Sequence, residues 1–174
     1  MHYKPFSHEY WLDEALQYVQ KDTIEIQRPE VPICALIVKN NQLISIALNK
    51  VEKSCDATAH AEMLVIKEAS EKLSNWRLND YILYSTLEPC SMCMGAILNS
   101  RIEKVIFGAY DLKLGACGSA LHLAKELNKQ NQVEIIGGIL EIECEEIIKD
   151  FFSIIRNSPR LLPGDLLACT MDRD

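Results

Sequence analysis

Two short segments, His60-Ala61-Glu62 and Pro89-Cys90-Ser91-Met92-Cys93, constrain this chain more than any other part of it. One imidazole and two thiolates suit a borderline-soft metal and fill three corners of a tetrahedron. The fourth corner is open to a water, whose pKa zinc can lower to about 7. Glu62 is not needed as a ligand, so its carboxylate is free to move that water's protons. For this chemistry the chain must bring together two segments with room for a helix and a strand between them. The alternative is a closed structural site in which Cys55, close upstream of His60, is the fourth ligand. That arrangement leaves Glu62 without a task.

The chain has 174 residues, 48% of them apolar, which is enough for one domain with a full core. No apolar run is long enough to span a bilayer, and Met1-His2-Tyr3-Lys4-Pro5 opens without a signal-peptide core. The expected location is the cytoplasm. Seven cysteines, an odd number without regular spacing outside the Cys90/Cys93 pair, fit reduced thiols better than a disulfide framework. Cys34, Cys117 and Cys144 have apolar neighbours and are expected to be buried small hydrophobes. The net charge of -7 and pI near 5.1 argue against nonspecific nucleic-acid binding as the main activity.

Periodicity predicts alternating helices and strands. Residues 8–20 place Leu12, Ala15, Leu16 and Val19 on one helical stripe. Residues 31–38 and 43–48 are strands joined by a hairpin at Lys39-Asn40-Asn41-Gln42, which puts Asn49 at a strand end. A helix starting at Thr58 or Ala59 carries His60 and Glu62 in its first turn. After a strand over 81–86, Pro89 opens a helix to about Asn99. The unpaired N–H groups and positive end of that helix favour the thiolates a metal needs. Residues 104–108 and 133–137 complete the strands, and 140–156 form the last helix. The order α-β-β-α-β-α-β-β-α reads as a mixed sheet covered on both faces. Beyond Asn157, Pro159, Pro163 and Gly164 indicate a loosely held tail over 158–174.

These motifs, with Ala57-Thr58-Ala59-His60-Ala61-Glu62, Asn75-Trp76-Arg77-Leu78, Thr86 through Ala96, Ser100-Arg101-Ile102, Phe107-Gly108-Ala109 and the Asp111–Ser119 loop, resemble the bacterial tRNA adenosine deaminases. This TadA family lies within the cytidine/deoxycytidylate deaminase superfamily, and the likeness covers about three quarters of the chain, Val31 to about Phe152. The resemblance implies a three-layer α/β/α cytidine-deaminase-like fold with a five-stranded mixed sheet, over residues 1–157. It implies one zinc per subunit on His60, Cys90 and Cys93, with Glu62 as proton shuttle and Asn49, Asp111 and Lys113 on the substrate side. The implied reaction is hydrolytic conversion of adenosine to inosine at the wobble position of a tRNA anticodon, by a homodimer. A deaminase of a free base or nucleoside, of guanine or cytosine type, would share the zinc site and is the alternative.

Cys34, Tyr110 and Leu114 depart from the family's usual glycine, arginine and threonine. The last helix has Phe151-Phe152 followed by Ser153-Ile154-Ile155-Arg156 instead of an arginine cluster. Chemistry is expected to survive these changes, while RNA contacts shift. The acidic total does not exclude RNA, because phosphate contacts need only a few cations. Arg101, Lys104, Lys113, Lys125, Lys129, Lys149, Arg156 and Arg160 are the candidates.

Overall fold

A strand with neighbours on both edges and layers on both faces must be apolar throughout, and β1 (Cys34–Lys39) is buried from Cys34 to Val38. In the computed structural model, which describes residues 3–23, 30–129 and 132–157, it is the second strand of a five-stranded sheet. β1 runs antiparallel to β2 (Gln42–Leu48) on one side and to β3 (Ile82–Leu87) on the other. Two parallel pairings, β3 with β4 (Lys104–Ala109) and β4 with β5 (Glu134–Ile136), complete the order β2-β1-β3-β4-β5. The β1–β2 hairpin turns through Asn40 and Asn41 at φ 50 and 60, a left-handed pair that asparagine tolerates and that matches strand twist.

Helices cover both faces. α1 (His8–Thr23) buries Trp11, Leu12, Ala15 and Val19 against Leu36, Tyr84 and Ile106, and Ile147 of α6 (Glu141–Asn157) packs beside them. On the opposite face, α3 (Ala61–Leu73), α4 (Ser91–Ser100) and α5 (Leu123–Glu126) set Val65, Ala69, Met94, Ile97 and Ala124 against Ile37, Leu83 and Phe107. Each fully buried large aliphatic side chain contributes about 1.5–3 kcal/mol relative to exposure, so the two clusters are what the layers rest on. The expected α/β/α sandwich with a five-stranded mixed sheet is the observed fold.

Boundaries differ from expectation for local reasons. β1 begins at Cys34, not residue 31, because Pro32 has no N–H for the ladder. α3 begins at Ala61 because Asp56 Oδ1 accepts from the Thr58 amide at 2.8 Å, which holds 56–58 in a turn. α2 (Val51–Ser54) buries no residue and α5 buries only Ala124, so neither leaves a periodic signal in the sequence. The tail over 158–174, with Pro159, Arg160, Pro163 and Gly164, lies outside the described residues.

Strand direction places the site. Because β1 is antiparallel to both its neighbours, β2 and β3 point the same way, and β4 is parallel to β3. Asn49, Glu88 and Tyr110 therefore all leave the sheet at one edge, the carboxyl ends of their strands, where open α/β sheets bind ligands.

Candidate active site

At that edge His60 and Cys90 occupy equivalent positions, each the extended residue just before a helix. His60 is the N-cap of α3 at φ -67, ψ 149, and Cys90 the N-cap of α4 at φ -72, ψ 175. An isolated β-bridge from Cys90 to Gly115 keeps Cys90 extended, so α4 starts at Ser91 and not at Pro89. Cys93, one turn into α4, faces the same way.

His60 Nδ1 lies 3.7 Å from Cys90 Sγ and 3.5 Å from Cys93 Sγ, and the two sulfurs are 3.6 Å apart. A tetrahedral zinc with Zn–S near 2.3 Å and Zn–N near 2.0–2.1 Å has edges of about 3.8 Å between sulfurs and about 3.6 Å from sulfur to nitrogen. The three atoms thus already form a face of that tetrahedron, and among the described residues they are the group able to hold a metal ion. Cys55 is no part of it. Its Sγ sits 3.8 Å from the Glu52 carbonyl on an exposed turn, which removes the closed four-ligand alternative.

Electrostatics at the site favour a thiolate. The Cys90 thiol is pulled down to about 5, first by the hydrogen bond from Cys93 and then, against burial, by the amides of Cys93 and Met92 and by His60. Cys93 is pushed up in turn by the same bond and by burial. Glu62, in the first turn of α3, is 4% exposed, and burial raises its carboxyl above the ordinary range against the pull of its own backbone amide. A carboxyl raised in this way holds a proton more readily than an exposed one, which suits a group that takes and returns protons.

The remaining expected residues divide. Asn49 is buried, one hydrogen-bonded step from the metal group, since the next amide, Lys50, donates to the Ala59 carbonyl beside His60 at 3.0 Å. Its Nδ2 donates to Glu30 Oε1 at 2.6 Å, and Glu30 Oε2 accepts from the Lys53 amide at 3.0 Å. Asp111 turns Oδ1 back onto its own loop, accepting from the amides of Lys113 at 2.9 Å and Leu114 at 3.1 Å. Lys113 is exposed two residues from the Gly115 bridge to Cys90. Two other cations are engaged elsewhere: Lys104 pairs with Glu134 at 2.7 Å and Lys149 pairs with Glu145. Arg101 caps the far end of α4 and lies over the Trp76 ring at 5.6 Å. A cleft of about 660 Å³ opens there, lined by Trp76, Asn99, Arg101 and Lys129, at the end of α4 away from Cys90.

Of the three departures, Cys34 and Tyr110 pack against neighbours and Leu114 does not. Cys34 is buried under α1 with its amide donating to Thr86 Oγ1 at 3.1 Å, and burial pushes its thiol up. Tyr110 stands edge-on to Phe107 at 5.1 Å, and Leu114 is 68% exposed on the site loop. Sequence reasoning missed Glu30 and Glu88. Each is a carboxylate next to a strand or a proline, and nothing in the local pattern marks its partners.

Known proteins of the same fold carry deaminase names. The family model of MafB19-like deaminases matches residues 6–156. A tRNA-specific adenosine deaminase of Bacillus subtilis (strain 168) is 42% identical over 152 residues, spanning 87% of this chain and 92% of the relative. One from Aquifex aeolicus (strain VF5) is 43% identical over 150 residues, spanning 86% and 97%. The chain belongs to the tRNA-specific adenosine deaminase family. A solved structure from studies of A-to-I editing by tRNA:A34 deaminases at the wobble position is 36% identical, with TM-score 0.73 over 79% of this chain and 98% of that one. As a deaminase-family fold, the sandwich carries its His/Cys/Cys group at two helix starts.

Proposed function

We propose that the chain is a zinc-dependent hydrolase that converts adenosine to inosine at the wobble position of a tRNA anticodon. The observation that carries this is the triangle of His60, Cys90 and Cys93 at tetrahedral edge lengths with the buried carboxyl of Glu62 in the first turn of α3. Family membership and the wobble-deaminase relatives support the substrate.

One zinc per subunit on the three ligands, when bound, lowers the pKa of water to about 7 and so makes a nucleophile available at neutral pH. Glu62 holds and moves the protons: it takes one from the water as the C–O bond forms and passes it to the ring nitrogen, then takes the proton of the added hydroxyl and delivers it to the amino group, which leaves as ammonia when the C–N bond breaks. Asn49 reads the base edge. Glu30 occupies one amide hydrogen of Asn49, which leaves the second hydrogen and the carbonyl oxygen for the base. The loop bearing Asp111 and Lys113 meets the RNA. A single-stranded anticodon loop suits a site of this kind, because a base can be extruded without the cost of opening a duplex.

The deaminase unit is residues 1–157, working as a homodimer in the cytoplasm. No helix among the described residues is long and apolar enough to cross a membrane. The deciding experiment offers purified zinc-loaded protein a wobble-adenosine stem-loop and, separately, free guanine and cytosine. Inosine in the stem-loop is the expected product. Efficient turnover of a free base with an untouched stem-loop would replace this reading with the free-base one.

A further inference from the structure

Among the described residues two carboxylates are buried, Glu62 and Glu88. The chemistry at the metal group uses the first. Glu88, 3% exposed, lies between the end of β3 and Pro89, and among the described residues no lysine, arginine or histidine pairs with it. A buried carboxylate without a counter-ion needs several donors. Four supply it, and all come from the loop that follows β4. Oε1 accepts from the amides of Cys117 at 2.9 Å and Ser119 at 3.1 Å. Oε2 accepts from the amide of Asp111 at 3.1 Å and from the Ser119 hydroxyl. Gly115 closes over this carboxylate: a Cβ there would fall inside contact distance of Glu88 Oε2 and Cδ. Glu88 thus sits inside a ring of loop backbone, with the Cys90–Gly115 bridge beside it and the Ala116 amide donating to the Pro89 carbonyl at 2.8 Å.

We infer that Glu88 is a positioning residue for substrate: its carboxylate sets the shape of the 111–119 loop, and through that loop the placement of Asp111 and Lys113 beside the metal group. The inference rests on the proposed function, in which this loop meets the RNA. An ordinary packing residue would not gather donors from positions 111, 117 and 119 onto one group. Those three points span the loop, so holding them together removes the freedom that RNA binding would otherwise have to freeze out.

Glu88→Gln is the discriminating variant because it keeps the shape and changes only the donor pattern. If the new NH2 faces Oε1's partners, it opposes two backbone N–H groups. If it faces Oε2's partners, the Ser119 hydroxyl can rotate to accept but the Asp111 amide cannot. The second orientation is the milder, and it frees Asp111, the residue that caps Lys113 and Leu114.

The test uses zinc-loaded full-length protein and two readouts. In Glu88→Gln, amide hydrogen exchange at Asp111, Cys117 and Ser119 should speed up about tenfold or more, while zinc content stays at the wild-type level. With a wobble-adenosine stem-loop, KM should rise about tenfold or more and kcat should stay within about threefold, the pattern of lost binding with intact chemistry. Ser119→Ala, which removes one side-chain donor and leaves the backbone ring, should raise KM by about threefold and carries the test if Glu88→Gln does not fold. Unchanged loop exchange, or a fall in zinc and kcat with KM unaltered, would overturn the inference. Wild-type protein that makes no inosine while Glu88→Gln still accelerates loop exchange would instead overturn the tRNA reading and leave the loop anchor standing.

Discussion

Glu62 and Glu88 are both buried carboxylates, yet their surroundings assign them opposite tasks. Glu88 is surrounded by donors, whereas Glu62 is raised by burial beside two thiols and an imidazole. Glu62→Gln removes the proton carrier and keeps the shape, so it should retain zinc and fold while inosine formation falls about a hundredfold to ten-thousandfold. Metal analysis beside a single-turnover assay checks both halves, and near-wild-type turnover would take Glu62 out of the mechanism. The cysteines separate in the same way. Cys90→Ala and Cys93→Ala should lose zinc and activity together, because each removes one corner of the ligand triangle. Cys34→Ala and Cys144→Ala should keep full zinc and lower stability by about 1–2 kcal/mol, read from a denaturant melt, since both thiols are buried packing groups. Full zinc in the Cys90 or Cys93 variant would dismiss the ligand assignment.

At the scale of elements, two helices that begin at one sheet edge do most of the work. His60 and Cys90 are N-caps, so the first turns of α3 and α4 aim unpaired amides at the same small volume. The second helical layer is held by a closer fit. A Cβ on Gly108 of β4 would clash with Cys144 Sγ and lie 2.8 Å from Cys144 Cβ and 2.9 Å from the Thr86 carbonyl. Gly108→Ala should therefore cost about 1–3 kcal/mol by pushing α6 off the sheet. Adding Cys144→Ala should recover only part of that cost, because the Cβ and carbonyl contacts remain. A double-mutant cycle on thermal or denaturant stability measures it, and strict additivity would show that the helix and strand do not meet there. The long elements were legible beforehand because their buried faces repeat: Leu12, Ala15, Leu16 and Val19 on α1, and the unbroken apolar run of β1. The short α2 and α5 were not, since one buries nothing and the other a single alanine.

Over the whole molecule, a net charge of -7 must coexist with an anionic substrate, and the placement of cations settles how. Lys104 already neutralises Glu134, whereas Lys113 is exposed on the loop beside Cys90. Charge reversal at Lys113 should weaken binding of an anticodon stem-loop and flatten its salt dependence by about 0.7 units of log K per log salt for one lost single-strand contact. Reversal at Lys104 should leave that slope unchanged. Asn49→Ala should weaken binding by about 1–3 kcal/mol through base discrimination, again without altering the slope. Fluorescent stem-loop titrations at several salt concentrations separate the three, and equal slopes for all variants would remove Lys113 from the interface.

The ligand types, their spacing and the apolar periods of the main elements are legible along the chain, because they are local properties of side chains three, four or two apart. Runs such as Thr86 to Ala96 also carried the resemblance to the family. The partners of the buried polar groups come from how the chain folds back on itself. Strand direction brought Asn49, Cys90 and Asp111 to one edge from distant parts of the chain. It also gave Glu30 to Asn49 and the 111–119 loop to Glu88. A hydrogen bond between residues far apart in sequence has no local pattern to announce it, since either partner alone reads as an ordinary carboxylate.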